Sequence, residues 1–281
     1  MPALVLWVGV LKFTDSGGVW MGWLIALIIW VLILLGLLAL VVYLEKLADY
    51  LEKKRREALE QVARSLGMSF SAELPEGIRS RLLQAGFKLF EQGYDRRFYN
   101  SMSKRLIDGT EIGAFDYQYG YPSGRGKRRA RAGAPTPDDH RYPSGRGKSR
   151  RIVWGKSRGT HCQSVFWAYC EDLRLPHFRL HPNIPLFHDI AKAFGMQDIN
   201  FEGHPRFSRS YLLRGEDEAK IRLRFHPRFL SFLEQHPPCC AEGSGPQLIV
   251  WRDDQQVSPE KMADWLRFGE EWVQRLRLRR V

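Results

Sequence analysis

The stretch VWMGWLIALIIWVLILLGLLALVVYL, residues 19–44, carries no charged residue. It exceeds the roughly 20 apolar residues with which an α-helix crosses a ~30 Å hydrocarbon layer. A helix of a soluble core rarely stays apolar on every side over that length, because one face normally meets water. A secretory signal puts its positive charge before the apolar run and a small-residue cleavage site after it. Here Lys12 and Asp15 precede the run, whereas Lys46, Lys53, Lys54, Arg55 and Arg56 follow it. The stretch therefore predicts one transmembrane helix in the lipid bilayer of the cell's inner (cytoplasmic) membrane. The positive-inside bias puts residues 1–18 outside as a short N-terminus and the C-terminal bulk in the cytoplasm. Trp20 and Trp23 at one end and Tyr43 at the other suit the two interfacial aromatic belts. Gly18, Gly22 and Ala26 repeat a small residue on one helix face, a candidate surface for self-association of two such helices.

After the apolar run, residues 45–66 predict a juxtamembrane helix with Leu44, Leu47, Leu51 and Ala58 as its apolar stripe. Lys53, Lys54, Arg55 and Arg56 read as a topology determinant on a solvated face, within reach of anionic lipid. Residues 67–281 then form a domain large enough to bury its own core. No second apolar run approaches spanning length, which predicts a single-pass protein with a soluble body. The four cysteines show no CxxC spacing, and a cytoplasmic location predicts free thiols.

Periodicity predicts an α+β domain built on an antiparallel sheet with packed helices. Ser69, Ser71 and Pro75 mark a boundary, and residues 77–92 a helix closed by Gly93. Residues 98–107 and 110–119 alternate like strands about Asp108-Gly109, a hairpin signal, with Phe115, Tyr117 and Tyr119 on one face. Residues 162–170 are apolar on both faces and predict a central strand. A short strand surrounds Phe178 and Leu180, a helix spans 184–195, and 207–214 predict a further strand. Glu216, Asp217 and Glu218 open a helix that buries Ile221 and Phe225. More helix surrounds Phe229, Leu230 and Leu233, and 247–252 are the last strand. Ser258-Pro259-Glu260 starts a final helix presenting Met262, Trp265, Trp272 and Leu276.

The formal charge is +12, and most of it is in one place. Between residues 121 and 158 stand Arg125, Lys127, Arg128, Arg129, Arg131, Arg141, Arg146, Lys148, Arg150, Arg151, Lys156 and Arg158, opposed only by Asp138 and Asp139. The segment 120–159 holds the phrase Tyr-Pro-Ser-Gly-Arg-Gly-Lys twice, starting at Tyr121 and at Tyr142. Its Gly, Pro, Ser and Arg content cannot build a core, which predicts a disordered basic insert. Three readings are open: a solvated loop with no partner, an arm that contacts anionic lipid headgroups, or a nucleic-acid contact. The last would work by phosphate neutralisation, with Tyr121, Tyr142 and Trp154 as stacking platforms.

Several phrases together resemble a family of uncharacterised bacterial single-pass membrane proteins classed under a domain of unknown function. They are Phe115-Asp116-Tyr117-Gln118-Tyr119, Gln163-Ser164-Val165, Leu175-Pro176-His177-Phe178-Arg179-Leu180, and Asp198-Ile199-Asn200-Phe201 through Phe207-Ser208-Arg209 to Tyr211-Leu212-Leu213-Arg214-Gly215-Glu216-Asp217-Glu218. The resemblance implies a cytoplasmic α+β domain on a membrane anchor and brings no catalytic residue. The basic loop after Tyr119 departs from the short hairpin expected of relatives.

Gly147-Lys148-Ser149 and Gly155-Lys156-Ser157 fail as phosphate loops, since Tyr142 and Arg150 stand where the first glycine is required. Proline follows histidine at His181, His204, His226 and His236, which reads as a set of element boundaries. His236 with Cys239 and Cys240 is the tightest metal-like group, but adjacent cysteines beside two prolines poorly fit one tetrahedral ion. Asp253-Asp254 and Glu270-Glu271 read as a turn and a solvated helix face, and Asp116 within an apolar strand as a paired structural carboxylate. The sequence thus names no catalytic residue, no metal and no cofactor. It predicts a membrane-anchored cytoplasmic binding or assembly module whose protein partner it does not identify. An enzyme is the competing class and would need His, Asp and Cys side chains gathered in one concave site.

Overall fold

The computed structural model describes residues 18–120, 160–183 and 198–277, with side chains from Trp23 onward. Two compact units are present among the described residues: those up to Lys53, and those from Lys54 onward. Helix α1 runs Gly18–Ser65, so its residues up to Lys53 belong to the first unit and the rest to the second. The apolar part of α1 is long enough to cross a bilayer, and none of its most apolar stretch is buried. Trp23, Leu27, Leu34 and Leu38 are all about three-fifths exposed.

In the second unit, the buried residues of α1 are Leu59 and Ala63, with Val62 and Leu66 packed beside them. The expected stripe through Leu44, Leu47 and Leu51 takes no part in this packing, those three residues being exposed. The residues that pack follow the same helical spacing but lie on a face through Arg55, Leu59 and Val62, one turn after another. Gly67, at φ +63°, ends the helix in the left-handed region, and the chain enters strand β1, Ser69–Glu73. Serines read as turn formers here line a sheet edge, where Ser69 Oγ donates to the carbonyl of Ser103 at 2.9 Å. A polar edge strand discourages pairing with other chains.

The expected helix over 77–92 is two pieces, α2 at Glu76–Gln84 and a 3₁₀ turn at Lys88–Glu91, because Gly86 breaks the helix with φ +71°. Strands β2, Tyr94–Arg105, and β3, Glu111–Gly120, form the hairpin that Asp108-Gly109 signals. Only Gly109 has positive φ; Asp108 does not, so the turn is a three-residue loop and not the two-residue one expected. The carboxylate of Asp108 accepts from the Thr110 N–H at 3.0 Å and fixes the loop.

Strand β4, Thr160–Tyr169, lies between β3 and β8, which explains its two apolar faces. Strand β5 is Leu175–Pro182. The predicted strand over 207–214 is corrected to helix α3, Pro205–Ser210, followed by strand β6, Tyr211–Gly215. Pro205 at the first helical position is pre-set for helix, an effect that outweighs the weak alternation after it. Helix α4, Glu218–Arg224, is capped by Asp217, whose carboxylate accepts from the Lys220 N–H, and α5 is Pro227–Gln235. Strand β7, Cys240–Gly245, has no sequence signature, being mostly small residues; β8 is Gln247–Trp251. A 3₁₀ turn, Pro259–Lys261, leads into α6, Met262–Leu276, whose predicted core residues Met262, Trp265, Trp272 and Leu276 are all buried.

The eight strands make one antiparallel sheet in the order β1-β2-β3-β4-β8-β7-β5-β6. The unit is α+β, as periodicity predicts. One face packs Phe166, Phe178, Leu180, Leu248 and Val250 against α3 to α6 and the end of α1. The other packs Phe98, Phe115, Tyr117, Tyr119, Trp167 and Trp251 against α2 and its 3₁₀ turn. Of the predicted N-terminus over 1–18 and basic insert over 120–159, Gly18 belongs to α1 and Gly120 to β3, and the rest, with the predicted helix over 184–195, lies outside the described residues.

Candidate functional site

The candidate site is built where three strands place polar side chains in one row. Leu180 of β5 faces Ala241 of β7, so the next residue of β5, His181, lies beside Cys240. Cys240 in turn faces Trp251 of β8, and the chain leaves β8 to bring back Asp253. The ligand atoms of His181, Cys240 and Asp253 all lie within 4.8 Å of one another. Cys240 Sγ donates to Asp253 Oδ2 at 3.4 Å, while the Trp251 indole N–H donates to Asp253 Oδ1 at 2.7 Å. The His181 and Trp251 rings meet edge to face, with centroids 5.8 Å apart. Asp253, with Pro182, Asn183, Arg209 and Arg252, lines an open cleft of about 500 Å³.

Burial sets the protonation of this group. It pushes the His181 imidazole below its ordinary range, so the ring is held neutral with a lone pair available. Burial, reinforced by the Asp253 carboxylate, pushes the Cys240 thiol well above its ordinary value, and the neighbouring Cys239 thiol rises to about 12. A neutral thiol is a poor nucleophile. The arrangement therefore offers nitrogen, sulfur and oxygen donors and lacks an activated thiolate.

Next along the same face of β7 is Glu242, buried and accepting from the backbone N–H groups of Lys88 at 2.6 Å and Leu89 at 3.1 Å. These are the free donors at the start of the 3₁₀ turn. Desolvation nonetheless raises this carboxyl to about 7.

The sequence-based groupings fare differently. His236 is not brought to Cys240; its Nδ1–H donates to the Phe232 carbonyl at 2.8 Å and closes α5. His226 caps α5, accepting from Phe229 N–H at 3.3 Å, so its Nε2–H faces the Arg275 carbonyl at 3.1 Å. His204 precedes α3 and sits 3.4 Å from Glu234. All four His-Pro steps thus lie at element ends, His181-Pro182 closing β5, and only His181 also reaches the site. Asp253 and Asp254 turn apart, the latter meeting His161 at 2.7 Å. Glu270 pairs with Lys104 and Glu271 with Arg275. All four cysteines are free. Gly18, Gly22 and Ala26 lie in α1, and Ala26 is exposed. Arg125, Lys127, Arg128, Arg129, Arg131, Arg146, Lys148, Arg150, Arg151, Lys156 and Arg158 lie outside the described residues.

One grouping is overturned. Arg55, read as part of a solvated basic cluster, is largely buried against Asp116. Its Nε and Nη2 donate to the two carboxylate oxygens at 3.0 Å each, and Nη2 also reaches the Val257 carbonyl at 2.9 Å. Asn100, at φ +51° in an irregularity of β2, donates to Asp116 Oδ2 at 3.1 Å, and Ser164 Oγ donates to Oδ1 at 2.7 Å. The carboxylate is fully partnered inside the fold, which marks it as structural.

No protein-family model and no curated protein matches the chain. Among solved structures it is similar to the crystal structure of the mycobacterial trehalose monomycolate transport factor A, TtfA. That match has 11% identity and a TM-score of 0.46, covering 80% of this chain and 93% of that one. A likeness at this level does not extend to function.

Proposed function

We propose that this chain is a single-pass membrane protein whose α+β domain lies on the cytoplasmic side and serves as a binding or assembly module. The observation that carries this reading is the unburied apolar surface of α1. Leaving a Leu, Ile or Val side chain in water forfeits roughly 1.5–3 kcal/mol, so a run of this kind requires an apolar cover. A bilayer matches it in length: 26 residues at 1.5 Å per residue reach about 39 Å, enough for the hydrocarbon layer with some tilt. The sidedness rests on the Lys and Arg residues after the run, and the basic insert would then face the anionic inner leaflet. Anionic lipid headgroups are the favoured contact for the insert, with nucleic acid as the competing one. Self-association through Gly18, Gly22 and Ala26 is part of the same reading. The test is membrane fractionation with protease mapping of a tag at Val281 in cells and in inverted vesicles. Protection in cells together with cleavage in inverted vesicles supports the assignment, and the reverse pattern refutes it.

An enzymatic reading gains one point from the gathering of His181, Cys240 and Asp253 beside a cleft. It loses ground on protonation, because burial keeps the thiol neutral. Binding is therefore preferred to nucleophilic catalysis.

A further inference from the structure

We propose that His181, Cys240 and Asp253 form a binding site for one divalent transition-metal ion of the zinc class. Tetrahedral zinc takes His nitrogen, Cys sulfur and carboxylate oxygen at about 2.0–2.3 Å, which sets neighbouring donors roughly 3.5 Å apart. Cys240 Sγ and Asp253 Oδ2 already stand 3.4 Å apart, and all three donor atoms fall within 4.8 Å of one another. An ordinary thiol–carboxylate hydrogen bond explains that pair alone. It does not explain why a third donor converges on them from another strand.

The surroundings match what metal ligands need. The Trp251 indole holds Asp253 Oδ1 at 2.7 Å, leaving Oδ2 turned to the thiol. An orienting hydrogen bond of this kind is a regular feature around ligating carboxylates. The row His181, Cys240 and Trp251 lies on three hydrogen-bonded strands, so two of the ligands have little freedom. The charge balance also favours a divalent ion: thiolate and carboxylate carry one negative charge each and imidazole none, so the loaded site is neutral. A neutral cluster can lie in a buried position where an isolated thiolate could not. The sulfur donor selects the zinc class over magnesium and calcium, which take oxygen ligands.

On binding, the Cys240 S–H bond breaks, a sulfur–metal bond forms, and the proton leaves to solvent. No electron is transferred. Because the metal must displace that proton, affinity rises with pH. Three protein ligands leave a fourth position, and the exposed side of Asp253 opens it to the cleft, where water can complete the shell.

The experiment uses the full-length chain in detergent micelles, stripped with chelator and titrated with Co²⁺. The expected result is a thiolate-to-cobalt charge-transfer band with visible bands of a four-coordinate ion, saturating at one ion per chain and displaced by Zn²⁺. Cys240→Ser abolishes the charge-transfer band. Asp253→Asn, at an exposed position, weakens binding at least about tenfold, the loss that even an outer partner causes. His181→Asn does the same, while Cys162→Ser leaves the band unchanged. Circular dichroism of each variant confirms the native fold. A wild-type chain without the band, a band that survives Cys240→Ser, or full affinity in folded Asp253→Asn overturns the proposal.

Discussion

Arg55, near the end of the long helix, forks onto both oxygens of Asp116 in the middle of β3, across 61 residues of chain. Asp116 is 1% exposed and Arg55 is 17% exposed at the side chain, so the pair is shielded from water and from salt. Ser164 ties it to β4, and the Val257 N–H donates back to Ser164 Oγ at 2.9 Å. A charge that sequence alone assigns to topology thus joins a helix, two strands and the segment before α6.

Replacing Arg55 by Met leaves Asp116 buried without its counter-ion, at a cost of roughly 3–5 kcal/mol. For a domain of this size the melting temperature should fall by roughly 6–20 °C. The double variant Arg55→Met with Asp116→Asn recovers part of the loss, since it buries no unpaired charge and keeps an oxygen acceptor for Asn100 and Ser164. Thermal melts of the four chains in detergent give the coupling; strict additivity would show that the pair is not linked.

Glu242 makes stability depend on pH. Its carboxyl rises to about 7 in the folded chain from an ordinary 4.5, so the folded state holds its proton more tightly than the unfolded state. The contribution is fully present below about pH 4.5 and is lost as pH rises through about 7, a swing of roughly 3 kcal/mol. Glu242→Gln removes that swing. Urea midpoints across this pH window should decline in the wild type and flatten in the variant, and parallel profiles would refute the assignment.

Gly269 in α6 is placed where an added Cβ would overlap the ring of Phe166, itself fully buried in β4. Helix propensity alone predicts that Gly269→Ala stabilises by about 1 kcal/mol. Overpacking against a ring with nowhere to move costs roughly 1–3 kcal/mol, so the net effect is a lower melting temperature. A higher one would show that α6 can step away from the sheet.

The hairpin at Asp108-Gly109, the central β4 and the amphipathic α6 were legible because each carries its own periodicity or turn chemistry. β7 was not, since CAEGSG has neither alternation nor β-branched residues. It is a strand because its neighbours β5 and β8 offer hydrogen-bonding edges on both sides. Missing β7 also hid the candidate site, whose members at 181, 240 and 253 meet only through its pairing. The partner of Asp116 was hidden for a related reason: no local pattern distinguishes Arg55 from Lys53, Lys54 and Arg56.

If the basic insert is a lipid arm, the full chain reconstituted into neutral vesicles should recruit added anionic vesicles at low salt, an attraction that fades over a Debye length as salt rises. Deleting residues 121–158 should abolish that recruitment. Equal recruitment by the deleted chain removes the lipid reading, and a gel shift with single-stranded oligonucleotides that the deletion abolishes would replace it with the nucleic-acid one.

The most direct measurement is alkaline extraction of membranes from cells making the full chain, paired with protease treatment of intact cells carrying a tag at Val281. Retention in the pellet with the tag protected is the expected result. Release into the wash would contradict the anchor, and loss of the tag from outside would contradict its orientation.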